Sequence, residues 1–360
     1  MENRIRIKDI HDLKDNTYSI LPTSNGLYEG KMGIAISYLT LAKGYDNKIF
    51  KEKGNKILHD VIENISYTED LSFKDGVLGV GWGLEWLKQS KILDINTDFV
   101  LEEVDDTIYK LVVFALDKGL SLQDGLLGKL AYYFKRLKGR SLSTHRYRYL
   151  CHQECIVILT DNLYELLYGE EGLLNIDETE ILKQIDQKDI VELTQVLLLI
   201  SKFVNVNDPA IKKMFTKTML FADYYMNILI KKGGCYRDRN PSFSNTISFF
   251  ALSFYTAAKE SKDTFWEEKG IQHVNDIISQ EKKLRHNNKE LIESLKINTL
   301  LHYYFPENGY EKKAKNDIKR INVDKASNIF YNGIYSIYLC QMCLYRPEYN
   351  ESCAELLFIN

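Results

Sequence analysis

Glu29-Gly30-Lys31-Met32-Gly33-Ile34 sets an acidic residue before G-x-x-G and an apolar run, and the form returns as Asp75-Gly76-Val77-Leu78-Gly79-Val80 and Asp124-Gly125-Leu126-Leu127-Gly128-Lys129. The second glycines, at 33, 79 and 128, lie 46 and 49 residues apart, within the ~20–50-residue periods of architectures built from repeated helix pairs. A weaker copy, Asn332-Gly333-Ile334-Tyr335-Ser336-Ile337, has Ser336 in place of the second glycine. Between these copies, apolar helical runs begin near Gln195, Asn245 and Glu290. Anchors therefore fall at about 33, 79, 128, 195, 245, 290 and 336, giving seven units. The surplus length after the third is read as an insertion around residues 135–185.

The rest of the chain agrees with a helical reading. Apolar residues recur at helical spacing, as in Ile34, Ile36, Leu39 and Leu41, and clean period-two alternation is scarce. Five prolines and 20 glycines in 360 residues leave few helix breakers. With 47 Lys+Arg against 50 Asp+Glu the net charge is −3, which gives no basis for expecting a nucleic-acid binder. Six cysteines without a secreted-scaffold spacing, no apolar signal core at the start, and no apolar run near the ~20 residues of a membrane span place the expected location in the cytoplasm.

A G-x-x-G at a helix start puts two positions without side chains about one turn apart, so neighbouring backbones approach closely at that end. Helices crowded at one end make a tapered barrel. The acidic residue before the first glycine is expected at the N-cap, so Glu29, Asp75 and Asp124 would ring one mouth. They are then either helix caps or functional carboxylates.

Gly26-Leu27-Tyr28-Glu29-Gly30-Lys31-Met32-Gly33-Ile34-Ala35, with Gly76-Val77-Leu78-Gly79, Gly125-Leu126-Leu127-Gly128 and Phe330-Tyr331-Asn332-Gly333-Ile334, resembles the lanthionine synthetase C-like (LanC) family across essentially the whole chain. The resemblance implies an all-α fold, an α/α toroid of about seven inner and seven outer helices, as a single domain over residues 1–360. It also implies thioether ring formation in a precursor peptide, beside a lanthipeptide dehydratase. A zinc ion held by two cysteines and a histidine would lower the pKa of a substrate thiol, which adds to a dehydroalanine or dehydrobutyrine. Such chemistry needs an open zinc position and an acid to protonate the enolate.

The residues matching the family's ligand motifs are incomplete. Gly234-Cys235-Tyr236-Arg237-Asp238 keeps the Cys-Tyr pair without the following glycine, and Leu284-Arg285-His286-Asn287 has Arg285 where the second cysteine is implied. The family's histidine at the fourth inner helix falls near Val191 and its aspartate near Ser121. Cys235 and His286 would be the remaining metal ligands, His286 and Tyr236 the catalytic residues, and Arg237, Asp238 and Arg285 peptide contacts. Two protein ligands fall short of the three of a catalytic zinc site.

Other groups weigh less. Cys151-His152-Gln153-Glu154-Cys155 has cysteines at i, i+4 on one helix face, but the apolar run after it favours buried core thiols. The basic stretch Lys135 to Arg148 reads as a solvated helix face. A carbohydrate-active enzyme is the alternative reading, with Glu29, Asp75 and Asp124 supplying two carboxylates about 5–10 Å apart. A protein-interaction scaffold is a third.

Overall fold

The sequence GKMGIAISYLTLAKGY carries apolar side chains on every face after its glycines, which suits a helix surrounded by protein. In the computed structural model it forms α1, Lys31–Tyr45, buried along most of its length. By contrast α2, Lys48–Glu63, is amphipathic and buries only one face, against α1. That alternation runs through the residues the structure describes: 21–139, 146–175, 186–204, 209–237, 241–279, 287–327 and 329–359. The inner helices are α1, α3 (Val77–Gln89), α6 (Leu126–Lys138), α8 (Gln187–Phe203), α10 (Pro241–Ser261), α12 (Asn288–Tyr304) and α14 (Ile334–Tyr345). Each packs on the next and α14 packs on α1, closing a ring. Outside it lie α2, α5 (Glu102–Phe114, after the short α4, Thr97–Val100), α7 (Arg146–Tyr168), α9 (Pro209–Arg237), α11 (Thr264–Ser279) and α13 (Tyr310–Arg320). No strand occurs among the described residues. The fold is an α/α toroid.

The glycine motif is the device that joins the units. Three residues before the first glycine stands a large apolar side chain, which enters the gap left by the second glycine of the adjoining unit. A Cβ at Gly79 would lie 2.9 Å from Leu27 Cβ, one at Gly128 2.8 Å from Phe73 Cβ, and one at Gly33 2.8 Å from Phe330 Cγ. Backbone bonds follow the same path. Leu27 and Tyr28 donate to Lys74 O, Phe73 and Lys74 to Gln123 O, and Phe330 and Tyr331 to Tyr28 O, at 2.8–3.1 Å. Where the glycines lapse, a side chain substitutes: Leu122 N donates to Gln195 Oε1 at 3.2 Å.

The expected acidic N-caps are not formed. Gly30, Gly76, Gly125 and Gly333 themselves occupy the N-cap, in extended conformation without a side-chain bond. First-turn N–H groups are satisfied by loop carbonyls instead, as in Lys31 N to Ser24 O, Val77 N to Asp70 O and Leu126 N to Gly119 O. Side-chain caps appear where the glycine motif is missing: Asp186 with Asp189 starts α8, and Asn287 with Glu290 starts α12.

Two further departures concern charge and the last helix. The stretch read as a solvated basic face is partly core, since Lys135 and Arg136 are 3% and 0% exposed. Arg136 pairs with Glu85, Asp98 and Asp105. Much of the surplus length after the third inner helix is α7, a 23-residue outer helix; residues 176–185 lie outside those described. Helix α15, Asn350–Ile359, turns inward rather than completing the outer ring. Its Glu355 pairs with Lys135 of α6 at 2.7 Å and Lys202 of α8 at 3.8 Å. Phe358 packs on Phe249 of α10 and Tyr304 of α12, and Ile359 O accepts from Tyr28 Oη at 2.6 Å. A helix that meets the first, third, fourth, fifth and sixth units at once lies in the central channel.

Burial pushes the Glu355 carboxyl up, but the Lys135 and Lys202 charges outweigh it and hold the carboxyl below its ordinary value. Glu355→Gln leaves the Lys135 ammonium without its counter-ion and is expected to weaken α15 docking by about 2 kcal/mol. Amide exchange in residues 350–359 should then rise tenfold or more while α1 is unchanged. Unaltered exchange would mean that the ion pair does not anchor the helix.

Candidate functional site

Crowding at the N-terminal ends of the inner helices leaves one side of the mouth open, where the glycine motif lapses. Here the fourth to sixth units enclose a cavity of about 240 Å³. Helix α8 contributes Gln187, Val191 and Thr194; α10 contributes Asn245 and Thr246; α12 contributes Glu293 and Lys296. Tyr28, Tyr331 and Asn332 form the wall from the first and seventh units, and Phe358 and Ile359 of α15 also line the cavity. A larger cavity of about 550 Å³, lined by Glu351, Ala354 and Glu355 of α15, shares Gln195, Phe358 and Ile359 with it.

The polar side chains of the mouth form two hydrogen-bonded sets, one around Glu293 and one around Gln187. Lys296 Nζ donates to Asn332 Oδ1 at 2.8 Å. Asn332 Nδ2 donates to Glu293 Oε1 at 3.3 Å, and Asn245 Nδ2 to Glu293 Oε2 at 3.4 Å. Gln187 Nε2 donates to Thr246 Oγ1 at 2.9 Å. The Lys296 amine also lies 5.2 Å from the Tyr331 ring centroid, and Tyr331 stacks on Tyr28 at 4.6 Å. Asn332 holds its position in the left-handed region, φ 49°, which asparagine tolerates better than most residues. Burial pushes the Lys296 ammonium down to about 8, against the opposing charge of Glu293.

Of the residues singled out from sequence, Val191 does line the cavity. Ser121 instead caps its own turn, accepting from Gln123 N at 3.1 Å. Cys235, Tyr236 and Arg237 end α9, four residues before α10 starts, and their side chains are not among those described. Asp238, Arg285 and His286 lie outside the described residues. Glu29, Asp75 and Asp124 are not part of the cavity lining. Glu29 pairs with Lys74 at 3.0 Å, Lys74 reaches Asp75 at 3.5 Å, and Asp75 Oδ1 accepts from Glu29 N. Cys155 is buried, with its thiol pushed up to about 11 by burial, so it behaves as core.

The described lining does not suit zinc. It offers amides, hydroxyls, one carboxylate and the Lys296 ammonium, whereas catalytic zinc takes thiolate, imidazole or carboxylate donors. Among the described residues no group of three or more His, Cys, Asp or Glu side chains could hold a metal ion. Lys296 and Glu293 are absent from the sequence-based candidates, and Asn245 and Asn332 enter there only as repeat anchors. A signal was present: Lys296 interrupts Leu295-Lys296-Ile297 one turn after Glu293, and Asn332 takes the place of the acidic residue in the last glycine motif.

A solved structure of nisin cyclase has the same fold, with a TM-score of 0.61 over 98% of this chain and 96% of that one, at 15% sequence identity. No protein-family profile and no curated protein matches the sequence. Among the described residues no helix is long and apolar enough to cross a membrane.

Proposed function

We infer that this protein binds a precursor peptide at the toroid mouth and acts in thioether-type peptide modification of the lanthionine synthetase C-like kind, with a degenerate zinc site. The mouth cavity carries the reading: it gathers a buried amine, a carboxylate and several amides at the end of the ring where the chain also brings Cys235. Likeness in fold to nisin cyclase, by its name a cyclase acting on nisin, supports it. A lanthipeptide dehydratase is the implied supplier of dehydroalanine or dehydrobutyrine.

Binding is tested with a fluorescein-labelled peptide containing one dehydroalanine and one cysteine. Anisotropy should rise with the wild-type chain, and Val191→Trp, which fills the cavity from α8, should weaken binding at least tenfold. Equal affinity for both would remove the cavity from the reading. Metal analysis addresses the zinc site separately. Zinc well below one per chain and unaffected by Cys235→Ala is expected, whereas stoichiometric zinc lost on that substitution would sink the degenerate-site reading.

A further inference from the structure

A lysine 6% exposed in the wall of a cavity is costly to keep charged, and the structure surrounds this one in a way that favours a reversible proton. Its amine meets Asn332 and Tyr331 from the loop before α14, and it feels the charge or titrating group of Glu293 and Lys289 on its own helix and of Cys340 on α14. The Asn332 side-chain oxygen Oδ1 accepts a hydrogen bond from the amine and thereby aims it. The amide nitrogen of Asn332 is meanwhile bonded to Glu293, so the carboxylate supports the amine through Asn332. The cavity is smaller than the about 300–1,000 Å³ of pockets for drug-sized ligands. It therefore suits the reacting side chains of a peptide rather than its whole length.

Resting on the peptide-modification reading above, the geometry points to Lys296 as the general base and general acid of the mouth, activating a peptide thiol without a metal. The neutral amine takes the proton of the cysteine S–H. The thiolate forms an S–C bond to the dehydroalanine Cβ while the C=C π pair moves to Cα as an enolate. The Lys296 ammonium gives its proton to Cα, and the amine is regenerated. One S–H and one C=C are thus exchanged for one S–C and one C–H, with no oxidant or further reactant. A cysteine thiol ordinarily titrates near ~8.5 and a lysine near ~10.4; the lowered value at Lys296 brings donor and acceptor close enough for efficient transfer in both directions.

The test follows ring closure in the dehydroalanine–cysteine peptide, with a chelator present, as loss of the alkylatable thiol without change of mass. Wild-type rates should rise with pH through about 8, because the free amine is the active form. Lys296→Met and Lys296→Arg should each lose roughly 10²-fold or more in rate at saturating peptide, where affinity no longer enters. Because these variants could also misfold, the wild-type chain is in addition treated with acrylamide and mapped by mass spectrometry. Lys296 should be alkylated half-maximally near pH 8, well below the surface lysines. Ring closure that survives both substitutions, or Lys296 labelling no different from surface lysines, overturns the assignment and leaves the peptide reading intact. A wild-type chain that neither binds nor closes the peptide overturns both.

Discussion

Replacing Arg136 with methionine is expected to lower the free energy of unfolding by about 3–5 kcal/mol, because it leaves buried carboxylates without their counter-ion. Arg136 is fully buried and bonds Glu85 and Asp105, with Nε 3.0 Å from Asp105 Oδ1. Burial favours the neutral acid at Asp105, yet bonds from His152 and Arg136 outweigh it and hold the carboxyl well below the usual range. Around this core, Tyr132 Oη donates to Asp105 at 2.6 Å and Thr97 Oγ1 to Glu85 at 2.7 Å. The network therefore ties α3, α4, α5 and α6 together. Urea unfolding measures the effect, and a loss below about 1 kcal/mol would show that the site relaxes or admits water. Glu85→Gln should cost clearly less in the Arg136→Met background than in the wild type, since the two groups share one interaction.

Gly33→Ala is the second large effect, expected to destabilise by about 2 kcal/mol. An added Cβ would overlap Leu27 O and the Phe330 side chain, where the seventh unit meets the first and closes the ring. Overpacking of this kind costs ~1–3 kcal/mol or more, and the roughly 1 kcal/mol that alanine gains over glycine in a helix offsets part of it. Gly119→Ala is the control, since a Cβ there meets nothing within 4 Å; it should be near neutral. Similar losses at both positions would mean that backbone conformation, rather than close approach, explains the motif.

The glycine motif was legible as a repeat because each copy solves the same local steric problem. Its helix starts at Lys31, Val77, Leu126 and Ile334 follow from the spacing. Its capping chemistry was misread: an acidic residue before glycine looks like an N-cap, but the glycine takes that position and loop carbonyls satisfy the helix. The fourth unit was harder, because its anchor at Gln195 is a joint between units and not a helix start; α8 begins at Gln187 with a capping box.

The chemistry of the mouth was less legible than the frame. Composition and period speak about residues near in sequence, whereas Lys296 meets Asn332 across 36 positions and Lys135 meets Glu355 across 220. A basic residue in a helical run looks solvated until packing surrounds it, as it surrounds Arg136.

By itself the sequence determined an all-α chain of helix pairs and the places where glycine lets adjoining units touch, because helical period and the absence of a Cβ act over a few residues. Only the tertiary structure decided that α15 turns into the channel and that a lysine and two asparagines meet beside Glu293 at the mouth. Closing the ring brings distant residues into low-dielectric contact, and there burial and charge pairing set the chemistry.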